Sequence, residues 1–291
     1  MSDRRPMDSF GAAALIGFSA LLAFNQVVIK LTTAGVAPVA QAGIRSVGAV
    51  IVLLLWARWR GIRFDVPRAA LPWGILSGFI FAFEFLCLFV ALDLTTVSRA
   101  SIIFYTMPVW LALAAHFVLP GERLTGVRVL GLALAVLGVV IAMGDRSNGQ
   151  ASLAGDILAL VATFGWAAVA LMVRATPLSR TPPVTQLMFQ VALSAPILLA
   201  AAPLFGPLIR DFQPVHALSL LFQSVCVASL GFMAWFWLLT IYRASSVASF
   251  AFLAPVLSVI FGWAILGEHI GPLIWVALGL VAAGIFLINR R

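Results

Sequence analysis

The chain has 291 residues, 63% of them hydrophobic and 10% charged, with a net charge of +8. Soluble domains carry roughly 25% charged residues, so a chain this apolar takes lipid as its solvent and has no room for a sizeable soluble domain. The positive balance does not point to nucleic acid, because the arginines fall in short segments between apolar runs.

A membrane-crossing helix needs about 20 mostly apolar residues. Ten such runs are predicted: 10–33, 37–58, 69–92, 97–119, 126–144, 153–174, 183–205, 215–240, 246–266 and 271–289. The first is followed by many others and reads as a spanning helix, not a cleaved signal peptide. Gly, Pro and Asn punctuate the short connections, as at Gly35 and Pro38, Pro120 and Gly121, and Gly271 and Pro272.

Arginine and lysine concentrate in cytoplasmic loops. With the first segment inside, thirteen arginines fall inside, three (Arg99, Arg146 and Arg210) outside, and Lys30 and Arg45 within spans. Both termini are therefore expected in the cytoplasm and the chain in the cytoplasmic membrane.

The fourth and ninth runs share a pattern. Ser98-Arg99-Ala100-Ser101, Met107-Pro108-Val109 and Gly121-Glu122-Arg123 are matched by Ser245-Ser246-Val247-Ala248, Ala254-Pro255-Val256 and Gly267-Glu268-His269. Each serine precedes its proline by ten residues. Pro38 to Arg45 likewise matches Pro183 to Gln190 in spacing. The expected domains are residues 1–147 and 148–291, each a five-helix repeat. Five is odd, so the second repeat enters the membrane inverted, an architecture recurrent in secondary transporters. The fold class is all-α, integral to the membrane.

These paired Pro-Val and Gly-Glu-Arg motifs resemble the drug/metabolite transporter superfamily, specifically its EamA-type ten-helix exporters. Within it the aromatic amino acid exporters are nearest on general similarity. His269 departs from the usual arginine. The resemblance covers essentially the whole chain and implies the fold, while the superfamily's substrates span amino acids, drugs, sugar phosphates and nucleotide-sugars.

Pro108 and Pro255 are hinge or kink candidates. A proline inside a helix releases the carbonyl four residues back, here those of Phe104 and Ala251, and in lipid that carbonyl needs a new partner. Charges within spans are costly and face a cavity or a partner. Glu84 is the deepest, with Arg45 or Lys30 as its partner. Lys30, Glu84 and Arg99 are coupling or gate candidates, with interface snorkelling as the alternative for Lys30. The substrate-binding candidates are Asn25, Gln26, Arg45, Glu84 and Ser249, with the aromatics Phe79, Phe83, Tyr105, Trp110, Trp166 and Trp235, whose rings suit apolar or aromatic solutes. Interhelical hydrogen bonding and core packing are the structural alternatives for all of these.

No Walker A loop, metal pattern or nucleophile triad is present, so no cofactor, metal or catalytic residue is expected. Cys87 and Cys226 make no redox spacing. The expected function is export of small metabolites, chiefly amino acids with an aromatic or apolar preference, by alternating access. A carrier of drugs, sugars or nucleotide-sugars stays open, as does an intramembrane enzyme. The expected partners are the bilayer and a small-molecule substrate, with the protein a monomer or a homodimer.

Overall fold

The computed structural model describes residues 7–145, 152–242, 247 and 250–289. Among these the structure is helical, without a named strand. The helices are α1 Ser9–Thr32, α2 Pro38–Arg60, α3 Leu71–Leu94, α4 Val97–Phe104, α5 Met107–Val118, α6 Gly126–Gly144, α7 Leu153–Ala175, α8 Pro183–Ala201, α9 Pro214–Phe222, α10 Phe232–Ile241, α11 Leu253–Leu266 and α12 Pro272–Asn289. A π-helical segment, Gln223–Gly231, joins α9 to α10. Nine stretches of the described residues are long and apolar enough to cross a membrane, counting α4 with α5 as one, and α11 is a shorter apolar helix. Ser245, Ser246, Ala248 and the candidate Ser249 lie outside the described residues, as do Arg4, Arg5, Arg146, Arg243, Arg290 and Arg291.

Local chemistry sets the boundaries. Asp8 caps α1 by accepting from Gly11 N at 2.7 Å, and Thr96, Thr125 and Ser152 cap α4, α6 and α7 in the same way. Pro38 and Pro183 begin α2 and α8, where a missing N–H costs nothing. The two prolines thus hold the same position in their helices. Gly61 and Gly267 end α2 and α11 with φ of 63° and 66°, a left-handed turn that glycine takes without strain.

The packing follows the repeat. α6 lies along α12, α2 against α8, and α4 against α11, each a first-half helix beside its second-half counterpart. The α6–α12 seam is made by small residues: a Cβ on Gly284 would stand 2.5 Å from the Gly131 carbonyl oxygen, and one on Gly138 2.8 Å from that of Ala277. Such close approach replaces the missing hydrophobic drive between helices in lipid. Gly74 and Gly78 serve α3 similarly, against Phe189 and Leu193 of α8. The symmetry is not perfect, since α3 packs extensively on α7 whereas α1 touches the α9–α10 span far less.

The fourth span departs from a single kinked helix. It is two helices, α4 and α5, separated by Tyr105 and Thr106, which have ψ of 3° and 1°. Pro108 stands in the first turn of α5 and Pro255 in the first turn of α11. At a first turn proline removes no helical hydrogen bond, so these residues start helices instead of bending them. Pro196 is the proline inside a helix, in α8.

Candidate functional site

One end of the bundle carries the loop arginines Arg58, Arg60, Arg63, Arg68, Arg123 and Arg128 and is called the basic end here; the other is the far end. The far end is tied shut by bonds that run from one half of the chain to the other. Glu268, just past α11, accepts from Val97 N at 2.6 Å and from Ser98 N and Ser98 Oγ at 2.9 and 2.5 Å. Its carboxylate thereby satisfies the buried N–H groups that lack a helical partner at the start of α4, where the helix dipole favours an anion. Beside it, Arg99 donates to both carboxylate oxygens of Asp156 on α7, at 3.2 and 2.6 Å, and to the Asp145 carbonyl at 2.5 Å. Arg99 is 1% exposed. At the rim, Arg210 pairs with Asp93 through two bonds of 3.0 Å, and these hydrogen bonds hold Arg210 above the ordinary arginine range. Backbone bonds from Ala37 to Leu208, and from Arg210 to Gly35, stitch the same rim.

Lys30 donates to the Asp93 and Thr95 carbonyls at 3.1 and 3.0 Å. Its ammonium is held by these carbonyls and not by Glu84. It braces the α1 end against the α3–α4 turn, inside one half.

Beneath this seal lies a polar layer. Gln26 is six residues below the far end of α1, Arg45 seven below that of α2, Tyr105 eight below that of α4 and Glu84 ten below that of α3. At about 1.5 Å rise per residue these depths agree at roughly 9–15 Å. Gln26 Nε2 donates to the Tyr105 hydroxyl at 3.4 Å. Several buried polar atoms of this layer have no hydrogen-bond partner in the protein, Asn25 Oδ1, Gln26 Oε1, Arg45 Nε and Glu84 Oε2, and nearer the far end Gln41 Oε1 and Gln223 Oε1 have none either. Native interiors leave few such groups, and each asks for an explanation.

Arg45 and Glu84 are near enough for their charges to interact, but they form no direct ion pair. The Arg45 guanidinium instead stands 4.0 Å from the centre of the Phe85 ring and 5.2 Å from that of Phe89. Glu84 packs against Gly165 of α7, where a Cβ would be 3.0 Å from that of Glu84.

The break at Tyr105 holds an aromatic group deeper in the bundle. Phe104 stacks on Trp166 at 4.9 Å and 20°, and Tyr105 meets the same indole edge-on at 6.2 Å. At the break, Thr163 Oγ1 of α7 lies 3.2 and 3.4 Å from the Ile103 and Phe104 oxygens, with its shortest bond, 2.8 Å, to Ala159 of its own helix. Trp110 Nε1 bonds Thr106 Oγ1 at 3.1 Å, and its ring meets Phe164 at 4.8 Å. Trp235 lies apart from this group, stacked on Phe18 at 4.9 Å.

The structure thus brings Asn25, Gln26, Arg45, Glu84 and Tyr105 to one depth, with Trp166 below. It does not bring in Phe79 and Phe83. Those two share the outer face of α3 and are 53% and 55% exposed, while Phe81, Phe85 and Phe89 point inward. A helix turns about 100° per residue, so odd-numbered phenylalanines in one run divide between faces. Gln186 braces the basic end by donating to the Leu178 and Thr181 carbonyls at 3.0 Å each. Thr163 and Gln223 were missed by sequence reasoning; neither lies in a motif, and a threonine bonding its own helix four residues back, as Thr163 does to Ala159, gives no hydropathy signal. The π segment around Gln223 was equally silent.

An all-helical bundle of two five-span halves, with a buried polar layer under an inter-half seal, defines a multi-pass membrane transporter. The chain belongs to the EamA-like transporter family, whose pattern matches residues 9–144 and again 153–290. Over 278 residues, covering 94% of each chain, it is 23% identical to the uncharacterised transporter YoaV of Bacillus subtilis. It is 27% identical to a "Probable amino-acid metabolite efflux pump" of Escherichia coli, over 90% of this chain and 89% of that one. A 144-residue match, 48% of this chain and 49% of the relative, is 30% identical to the "Aromatic amino acid exporter YddG" of Ancylobacter novellus. A solved crystal structure 22% identical superposes with a TM-score of 0.67, covering 95% of this chain and 97% of that one, and supports the fold.

Proposed function

We propose that the protein is a secondary active transporter that exports small metabolites, amino acids with an aromatic or apolar preference, from the cytoplasm by alternating access. The observation that carries this reading is the far-end seal. Glu268–Ser98, Asp156–Arg99 and Arg210–Asp93 each join one half of the chain to the other, and the unpaired polar layer sits directly beneath them. A seal made between two inverted halves opens when the halves rock.

At the basic end the ties between halves are fewer among the described residues. Tyr242 donates to Asp8 at 2.7 Å, and Arg174 pairs with Glu122 in an exposed position. The arginine bias of that end supports a cytoplasmic orientation, so the arrangement corresponds to a state closed to the outside. Broken helices with their ends at mid-depth, as in α4–α5, are a recurrent feature of transporter binding sites. Relatives named as amino-acid efflux pumps and as an aromatic amino acid exporter support the substrate class. Phosphorylated solutes fit less well, because Lys30 is committed to carbonyls and leaves Arg45 as the cation of the layer. We read no catalytic role. The partners are the bilayer and the solute.

The test is uptake into proteoliposomes with a panel of amino acids, sugars and cationic drugs, with and without a pH gradient. Accumulation of aromatic amino acids above the other classes is the expected result. Accumulation of sugars or drugs with no amino acid uptake would overturn the substrate class.

A further inference from the structure

The three direct ion pairs described above show what this protein does with charges that serve structure: they touch. Arg45 and Glu84 are treated differently. Both are buried, at 3% and 2% exposure, and both leave an atom, Nε and Oε2, without a partner. Holding a buried guanidinium and a buried carboxyl group apart forfeits the direct bonds that would offset their desolvation. The Arg45 charge is supported on the faces of Phe85 and Phe89, and a ring face stabilises a cation without consuming its N–H donors. Gly165 lets α7 come up behind Glu84 at backbone distance.

The inventory of unpaired atoms has a chemical sense. At the depth of the layer it holds one cationic donor, Arg45 Nε, against one carboxylate oxygen and the amide oxygens of Asn25 and Gln26. The complement of such a set is one carboxylate together with a donor-rich cation. An α-amino acid zwitterion carries a carboxylate and an ammonium with three N–H donors, and a sugar phosphate or neutral drug does not.

We infer that Arg45 and Glu84 are the two jaws of a zwitterion clamp, the guanidinium receiving the substrate's α-carboxylate and the Glu84 carboxylate its α-ammonium. This deepens the amino acid reading proposed above and rests on it. It also explains the arrangement of the pair, since a directly bonded Arg45 and Glu84 would have to be broken by every substrate molecule. The substrate side chain would then extend toward the Phe104–Trp166–Tyr105 rings.

The purified full-length protein is titrated with L-phenylalanine, with phenethylamine, which lacks the carboxylate, and with 3-phenylpropionate, which lacks the ammonium. Wild type is expected to bind phenylalanine about tenfold or more tighter than either analogue, since charged hydrogen bonds are at stake on both sides. Arg45→Gln should bring phenylalanine down to the level of phenethylamine and leave phenethylamine unchanged. Glu84→Gln should bring phenylalanine down to 3-phenylpropionate and leave that acid unchanged. Arg45→Lys and Glu84→Asp, which keep the charges, should recover part of the preference. Equal binding of all three ligands by wild type would overturn the clamp without any variant having to fold. So would a charge-removed variant that keeps the wild-type preference. Absence of phenylalanine binding in a protein that accumulates a sugar or a drug would instead remove the amino acid reading itself, and the clamp with it.

Discussion

Glu268 and Ser98 stand 170 residues apart in the chain and 2.5 Å apart in the fold. The carboxylate of one half of the molecule caps the helix that opens the fourth span of the other. Its sequence counterpart, Glu122, holds Arg174 in an exposed pair at the opposite end. One motif therefore does two jobs, buried capping at Glu268 and exposed pairing at Glu122.

That difference is measurable. Glu268→Gln should weaken three hydrogen bonds to a charged acceptor, for which about 1.5–3 kcal/mol each is typical, and should favour opening of the far end. Glu122→Gln should change stability by less than about 1 kcal/mol, as exposed pairs do. With Cys87 and Cys226 replaced by alanine, a Ser101→Cys probe should be protected from an impermeant thiol reagent applied at the far end, and Glu268→Gln should increase its labelling. Equal labelling in both glutamate variants would contradict a capping role specific to Glu268.

Arg99 and Asp156 form a buried pair across the two halves. Removing one partner strands the other, which typically costs about 3–5 kcal/mol. Arg99→Ala should lower the unfolding temperature markedly. The double variant Arg99→Ala with Asp156→Ala should be less destabilised than the sum of the singles. A strictly additive cycle in thermal unfolding would mean that the two side chains are energetically independent.

Thr163 links α7 to the break in the fourth span. Thr163→Val keeps the shape but removes the hydroxyl that reaches the Phe104 carbonyl; because that hydroxyl is shared with Ala159 and the Ile103 carbonyl also accepts from Thr106, the cost should be about 1 kcal/mol. Pro108→Ala should cost less, because a first-turn proline takes no bond from its helix. Transport should follow the same order. Greater loss in Pro108→Ala would restore the proline to a hinge role.

The α6–α12 seam leaves no room for a side chain at Gly284, where a Cβ would meet the Gly131 carbonyl at 2.5 Å. Gly284→Val should destabilise by about 1–3 kcal/mol through overpacking, and Gly279→Val, on the open face of the same helix, should be nearly neutral. Comparing their unfolding midpoints in detergent checks this.

Much of this architecture is legible in one dimension. The apolar runs, the proline starts at Pro38 and Pro183, and the doubled Pro-Val and Gly-Glu motifs are local patterns, and lipid makes them strict because every backbone group must be satisfied inside its own span. The ten-span plan and the inverted halves followed from these patterns alone. The depth of Gln26, Arg45, Glu84 and Tyr105 was likewise readable, since rise per residue converts position into depth.

Direction and partnership were not. Phe79 and Phe83 turn outward while Phe85 and Phe89 turn inward to carry Arg45, and a run in which nearly every residue is apolar shows no preferred face. Arg99, counted among the outside arginines, becomes half of a fully buried ion pair, and Lys30 becomes a brace, because their partners come from segments 46 to 65 residues away. Composition and local pattern determined the solvent, the spans and the symmetry of this protein, since those depend on groups near each other in the chain. Only the tertiary structure decided which charges meet and which are held apart, since hydrogen bonds and ion pairs act over a few ångströms and are made between helices whose approach no local pattern encodes.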